Sequence, residues 1–323
     1  MKDHDVIASF LDLSYGFRKM KRLLLFIGGW LVISAWGNEP ILPLPDPRPL
    51  SEAARLGERL FHDPRLSGSG RISCATCHRL DEGGDDGLPL PTVQNGSHPH
   101  NTPTVFNAAF NYRLHWYGDL TSLEQQARAA LQRDMQVDWQ KTLLRLKADT
   151  GYRKVFDNLF GGLTADSVVA ALVAFENTLI TPDAPLDRYL RGDTAALTPQ
   201  QQRGYALFKA HGCSACHQGI NVGGNLLQQL GVFGRYRSGD PGRIAVTGRK
   251  EDRNVFRVPS LRNVAVTAPY FHDGRVKTLK KAVELMAQYQ LGIRMKAGEI
   301  DAIVAFLNSL TGRYHSRPIG KRQ

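Results

Sequence analysis

A mainly helical fold in two domains is what this sequence predicts, on three observations. Apolar residues recur at helical spacing in several stretches, one pentapeptide pattern occurs twice, and a Pro/Asp-rich connection lies between the two copies. The pattern is Cys-x-x-Cys-His: Cys74-Ala75-Thr76-Cys77-His78 and Cys213-Ser214-Ala215-Cys216-His217 take up all 4 cysteines of the 323 residues. It is the attachment signature of c-type haem. Two thiols three positions apart can each form a thioether to one porphyrin edge, and the adjacent His reaches the iron as proximal ligand. A zinc ribbon would keep its Cys pairs close together, whereas Cys74 and Cys213 are 139 positions apart. A thioredoxin-type pair has no use for the following His. Two covalently bound haems are therefore expected, one on Cys74, Cys77 and His78, the other on Cys213, Cys216 and His217.

Taken in order, residues 1–36 read as a signal peptide or an N-terminal anchor. Arg18, Lys19, Lys21 and Arg22 precede the apolar run Leu23 to Ala35, which is short for a bilayer span, and Ser34-Ala35 supplies small residues near a cleavage point. Either reading puts the folded part outside the cytoplasmic membrane, in the periplasm, where thiols consumed by haem attachment are at home. Ser51 to His62 places Leu56, Leu60 and Phe61 on one side of a helix that Pro64 stops. Thr164 caps a run carrying Val168, Ala171, Leu172 and Phe175. Thr198-Pro199-Gln200-Gln201 is a helix start with Pro at the first position and Gln placed for a capping box, and that helix runs to Ala210 and delivers the second motif. Lys277 to Tyr289 repeats Ala282, Leu285, Met286 and Tyr289, and Glu299 to Leu310 repeats Ile300, Ile303, Val304, Phe306 and Leu307. The connections Asp81 to Thr102 and Gly219 to Arg253 read as irregular, and no short internal repeat is apparent. The connection from Thr181 to Thr198 sets the boundary, giving domains at 37–185 and 186–323.

Lys and Arg outnumber Asp and Glu by 41 to 30, a net charge of +11, of which residues 1–36 carry only two units. The Arg residues between Arg235 and Arg262 are spread through a Gly-rich loop rather than along one helix face, which argues against nucleic-acid binding. Pairing with haem propionates, or a face for an acidic redox partner, accounts for them better.

The sixth ligand of each iron separates electron transfer from catalysis, because only an open position binds a small molecule. Beyond residue 36 the methionines are Met135, Met286 and Met295. Met286 lies on the apolar stripe of the helix after the second motif, where it is either core filling or an iron ligand that would raise that haem's potential.

The chain resembles the bacterial dihaem cytochrome c peroxidases from about Leu56 to Gly312. The resemblance rests on Leu60-Phe61-His62-Asp63-Pro64-Arg65-Leu66-Ser67, on Asn101-Thr102-Pro103-Thr104-Val105-Phe106-Asn107, on Val258-Pro259-Ser260-Leu261-Arg262-Asn263, and on Thr267-Ala268-Pro269-Tyr270-Phe271-His272-Asp273-Gly274. It implies two cytochrome-c-like helical domains, an N-terminal peroxidatic one and a C-terminal electron-transfer one, each with one covalently bound c-type haem. Together they would reduce hydrogen peroxide to water with electrons from a small redox protein. Met286 then becomes the sixth ligand of the second haem. Trp116 matches the family tryptophan between the haems, and Asn101 with the carbonyls of Thr267 and Pro269 matches a calcium site.

Two departures from the family pattern bear on mechanism. Members with a switchable first haem carry a His where this chain has Val93; His98, His100 and His115 are nearby alternatives, and the first haem is expected to be open without reductive activation. The family's catalytic Glu-Met corresponds to Asp134-Met135, two residues closer to the Gln126-Ala127 pair, so Asp134 is the expected acid–base group and Gln126 the group that orients peroxide. Two other readings stay open: a dihaem carrier with both irons six-coordinate, and an enzyme oxidising tryptophans of a partner protein, whose relatives carry Tyr in place of Met286. For the donor, a c-type cytochrome, a cupredoxin and a membrane quinol are all compatible with the sequence, as is a homodimer.

Overall fold

The computed structural model describes residues 39–320 apart from 48, 94, 95 and 98, so the expected export segment lies outside the described residues. Helices α1 (Glu52–Phe61), α2 (Cys74–Cys77), α3 (Leu123–Arg133), α4 (Trp139–Lys147), α5 (Thr150–Phe160) and α6 (Ala165–Glu176) precede the connection at Thr181. After it come α7 (Pro185–Leu190), α8 (Pro199–Ala210), α9 (Ile244–Thr247), α10 (Leu279–Gln290) and α11 (Ala297–Asn308). Among the described residues, strand is confined to three antiparallel ribbons, β1 (Thr92–Val93) with β2 (Gly96–Ser97), β3 (Leu227–Gln229) with β4 (Val255–Arg257), and β5 (Arg313–Tyr314) with β6 (Arg317–Pro318). The two connections expected to be irregular hold β1–β2 and, in the second, β3 and α9, with little else regular.

Helix starts follow side-chain capping. Ser51, Ser122, Thr164, Thr198 and Thr278 each accept a hydrogen bond from a backbone N–H of the first turn. The pattern did not reveal α3, α4, α5 and α7. Helix α3 carries only a narrow line of Leu123, Ala127 and Leu131, and α4 and α5 are announced mainly by their caps Asp138 and Asp149. Helix α7 sits inside the expected connection: Pro185, which reads as a breaker, occupies a first-turn position where its missing N–H costs nothing.

Two apolar clusters form the interior. One gathers Leu56, Leu60, Phe61, Phe156, Leu172 and Phe175; the other Leu186, Tyr205, Phe208, Ile303, Phe306 and Leu310. Residues Glu39 to Leu44, just before α1, lie against the second: Ile41 is buried in it, and Glu39 bonds Tyr205 and Lys209. A fully buried pair, Arg262 and Asp187 at 2.7 Å, ties Leu42, Leu44 and Ile220 together through their backbone groups.

The halves are built on one plan, an internal correspondence that the sequence pattern did not reveal as a short repeat. Helix α1 crosses α6 as α8 crosses α11, each crossing resting on a glycine. A Cβ on Gly57 would lie 1.9 Å from the Ala171 carbonyl oxygen, and one on Gly204 would lie 1.9 Å from that of Ala302. The sequences at those crossings are Ala171-Leu-Val-Ala-Phe-Glu-Asn-Thr-Leu179 and Ala302-Ile-Val-Ala-Phe-Leu-Asn-Ser-Leu310, 131 positions apart. Between them a second set repeats at 156 positions. Asn107 and Asn263 are left-handed at φ 60° and 61°, the bridge Leu114–Leu120 matches Tyr270–Val276, Gly118 matches Gly274 at φ 60°, and cap Ser122 matches Thr278. The two asparagine amides meet on one atom: both donate to the Thr181 hydroxyl, at 2.8 and 2.9 Å.

Candidate functional site

At the first motif, α2 is a single turn. Thr76 Oγ1 accepts the Ser73 N–H at 3.0 Å, and the His78 N–H returns to the Cys74 carbonyl. His78 Nδ1 lies 3.0 Å from the Gly84 carbonyl oxygen, which can only accept, so Nδ1 carries the proton and Nε2 is left as the metal-binding nitrogen. Burial holds His78 below the usual histidine range, against the charges of Asp86 and Asp134, and keeps it the neutral ligand form. Burial likewise pushes the Cys74 thiol up to about 12 and raises Cys77. Neutral sulfurs in apolar surroundings fit thioether bonds better than thiolate metal coordination.

The second motif opens with Gly212 at φ 80° and closes on His217, which burial pushes down to about 4. Cys213, Cys216, His217 and Met286 border one apolar cavity, so the structure brings the expected axial pair to the same space. Arg257, missed by the sequence reading, lines it too. It is buried, makes no ion pair among the described residues, and is pushed down to about 10 by desolvation; Nε donates to the His115 carbonyl at 2.9 Å. An unpaired buried cation at the wall of this cavity suits the carboxylate edge of the cofactor. Both sets of residues therefore fit a covalently held haem.

Trp116 stands at the same wall. Its Nε1 donates to the Asn101 carbonyl at 2.8 Å, its own carbonyl accepts the Arg257 N–H, and its ring meets that of His272 edge-on at 6.1 Å. Asn101, Thr267 and Pro269 border this cavity as well, with Asn101 Nδ2 spent on the Leu88 carbonyl. Three neutral oxygens are few for calcium, which takes about six to eight and favours carboxylates. Among the described residues no group of three or more His, Cys, Asp or Glu side chains is arranged to hold a metal ion. The fit to calcium is incomplete.

The internal repeat shows what faces the first motif. Helix α10 lines the second cavity with Ala282, Met286 and Gln290, spaced four apart on one stripe. Their counterparts on α3, 156 positions earlier, are Gln126, Ala130 and Asp134. Ala130 stands where Met286 stands. Asp134, at the end of α3, takes the place of Gln290, and its charge is felt at both Cys77 and His78. Gln126 and Asp134 thus flank a position with no ligating side chain. Ala130 escaped the sequence reading because the repeat carrying it went unseen.

Of the other histidines, His100 is bound through Nε2 to Asp240 at 2.7 Å, which also accepts the Tyr117 hydroxyl. His115 lies 3.5 Å from Asp119 and 3.3 Å from Arg133 Nη2. His98 lies outside the described residues, as does the side chain of Val93.

Fold and site together define a helical two-domain scaffold with two haem-attachment motifs that differ on their far sides. Residues 51–195 match the family described as di-haem cytochrome c peroxidase, and residues 201–311 match cytochrome c. The chain is 42% identical over 288 residues to a cytochrome c peroxidase of Escherichia coli (strain K12), covering 86% of this chain and 62% of that protein. It is also 42% identical over 280 residues to the cytochrome c551 peroxidase of Pseudomonas aeruginosa, covering 82% and 81% of the two chains. A crystal structure of a MauG-like protein associated with microbial copper homeostasis superposes with a TM-score of 0.73 at 29% identity, covering 83% of this chain and 93% of the other. The chain belongs to the dihaem cytochrome c peroxidase family, whose members are haem-dependent oxidoreductases.

Proposed function

We propose that the first haem, on Cys74, Cys77 and His78, is the peroxidatic centre, and that the second, on Cys213, Cys216 and His217 with Met286, relays electrons to it. The chain is a dihaem peroxidase that reduces hydrogen peroxide. One observation carries the division of labour: Ala130, which has no donor atom, holds on α3 the position that Met286 holds on α10.

When bound, the first haem supplies the iron that takes peroxide and the oxidising equivalents released by O–O cleavage. Ala130 would leave its position on the α3 stripe free of side-chain bulk and of any donor atom. Gln126, one turn before, orients the entering peroxide through its amide. Asp134, one turn after, would take a proton from one peroxide oxygen and return it to the other, the one that leaves as water. Two electrons and two further protons complete the conversion of each peroxide to two waters. Arg257 would hold a propionate of the second haem, and Trp116, at the wall of the same cavity, would aid coupling between the two haems.

The finer assignments follow the same reading. The boundary is placed at 185/186, where Leu179 belongs to the first apolar cluster and Leu186 to the second. The donor is a small redox protein, a c-type cytochrome or a cupredoxin, and the protein works in the periplasm. Calcium at Asn101, Thr267 and Pro269 plays no part in the steps above. A carrier without peroxidase activity would need a sixth ligand on the first iron, yet His100 is engaged by Asp240 and His115 lies beside Asp119. The test is steady-state peroxide reduction by the holoprotein, as isolated and pre-reduced, with a reduced cytochrome c as donor. Turnover in both states supports an open first haem, and none in either refutes the assignment.

A further inference from the structure

The mechanism leaves one buried acid unused. Glu176 ends α6, is 9% exposed, and its Oε2 has no hydrogen-bond partner. Its counterpart 131 positions later is Leu307, which borders the second cavity together with Cys213 and His217. The equivalent crossings of α1 with α6 and α8 with α11 give Glu176 the same relation to the first motif. One half thus presents a carboxyl to its haem where the other presents an apolar side chain.

Resting on the assignment of the first haem to Cys74, Cys77 and His78, we propose that Glu176 is a positioning charge that sets that haem's reduction potential and couples its reduction to uptake of one proton. The ionised carboxylate stabilises the ferric form. On reduction of the iron that stabilisation would be lost, and Glu176 would take a proton from solvent: one electron to iron, one proton to the carboxylate, net charge unchanged. Leu307 gives the second haem no such brake, so the second haem is the easier to reduce and receives the donor's electron first.

The surroundings permit this. Burial alone acts on Glu176 and raises it to about 8. Helix α1 carries Glu52, Arg55, Glu58 and Arg59, and α3 carries Glu124, Arg128, Arg133 and Asp134, but none of these charges acts on it. The ionisable group that feels Glu176 is Cys74, a sulfur committed to the thioether; the influences on His78 are burial, Gly84, Asp86 and Asp134. The sign follows. As pH rises from about 6 to about 9, Glu176 ionises in the ferric protein and the first haem becomes harder to reduce.

The experiment is a spectroelectrochemical titration of the holoprotein over that range, following each haem by its own spectrum. The first haem's midpoint potential should fall as pH rises, and more steeply than the second's. Glu176→Gln, which keeps the shape, should remove that excess slope and raise the first haem's potential on the alkaline side; Glu176→Leu, which copies the side chain of Leu307, should do the same. Superimposable first-haem potentials for wild type and Glu176→Gln at every pH would overturn the proposal. Peroxide turnover measured on the same wild-type sample separates that outcome from failure of the peroxidase reading.

Discussion

Replacing Asp134 by Asn removes one ionisable oxygen and almost no volume. Asp134 sits at the C-terminal end of α3, half-buried, with its N–H on the Ala130 carbonyl at 3.0 Å. Successive members of the Gln126–Ala130–Asp134 stripe rise about 6 Å along the helix, so a molecule above Ala130 lies within one turn of both polar groups. The carboxylate also acts electrostatically on Cys77 and His78, which fixes it on the first motif's side of α3. In the second half the same position is Gln290, whose Oε1 accepts the Gly231 N–H at 3.1 Å; the structural job there is done by an amide. The Asp134→Asn variant should therefore fold and bind both haems while losing proton transfer. General acid–base help is worth about 10²–10⁴ in rate, or about 3–5 kcal/mol of barrier. The expected loss in kcat/KM for peroxide is at least about 100-fold, with donor oxidation at the second haem unchanged in stopped flow. The conservative Asp134→Glu should retain most of the rate. Activity of the Asp134→Asn variant within about twofold of wild type would refute the role.

Ala130→Met should copy Met286 onto α3 and close the first iron. The expected result is loss of cyanide binding to the first haem and a fall in peroxide turnover of at least about tenfold; unchanged cyanide binding would show that position 130 does not face the iron. Gly204→Ala puts a methyl 1.9 Å from the Ala302 carbonyl oxygen. Overpacking of this kind costs about 1–3 kcal/mol, or roughly 2–4 °C of Tm for each kcal/mol, and thermal unfolding of the holoprotein checks it. Arg262→Met leaves Asp187 buried without its cation. The expected cost is about 3–5 kcal/mol by denaturant titration, since breaking one side of a buried pair strands the other charge.

How much of this was legible in the sequence depends on the kind of signal. The haem motifs are covalent chemistry at fixed spacing, so Cys74, Cys77, His78, Cys213, Cys216 and His217 could be read directly. Helices with a broad apolar face and a capping side chain, such as α1, α6 and α8, were equally plain. Helix α3 was not, because the face that corresponds to the cavity-lining stripe of α10 carries Gln126, Ala130 and Asp134 instead of large apolar residues. The same fact hid the asymmetry that matters most: an alanine announces nothing until its partner Met286 is known. Arg257 and Glu176 were invisible because their burial comes from residues far away in the chain. The repeat of Ala171–Leu179 in Ala302–Leu310 was present in the sequence and would have paired Glu176 with Leu307, as the 156-position repeat would have paired Ala130 with Met286; both are easily overlooked because the matching stretches are short and many of their positions are common core residues.

The open iron position expected above Ala130 is accessible to direct measurement by electron paramagnetic resonance of the holoprotein, as isolated and after addition of one electron per molecule. A high-spin ferric signal from the first haem, alongside a low-spin signal from the His217/Met286 haem that vanishes on that addition, is the predicted result. Two low-spin ferric haems as isolated, with the first still low-spin after one electron, would contradict an open peroxidatic iron in this protein.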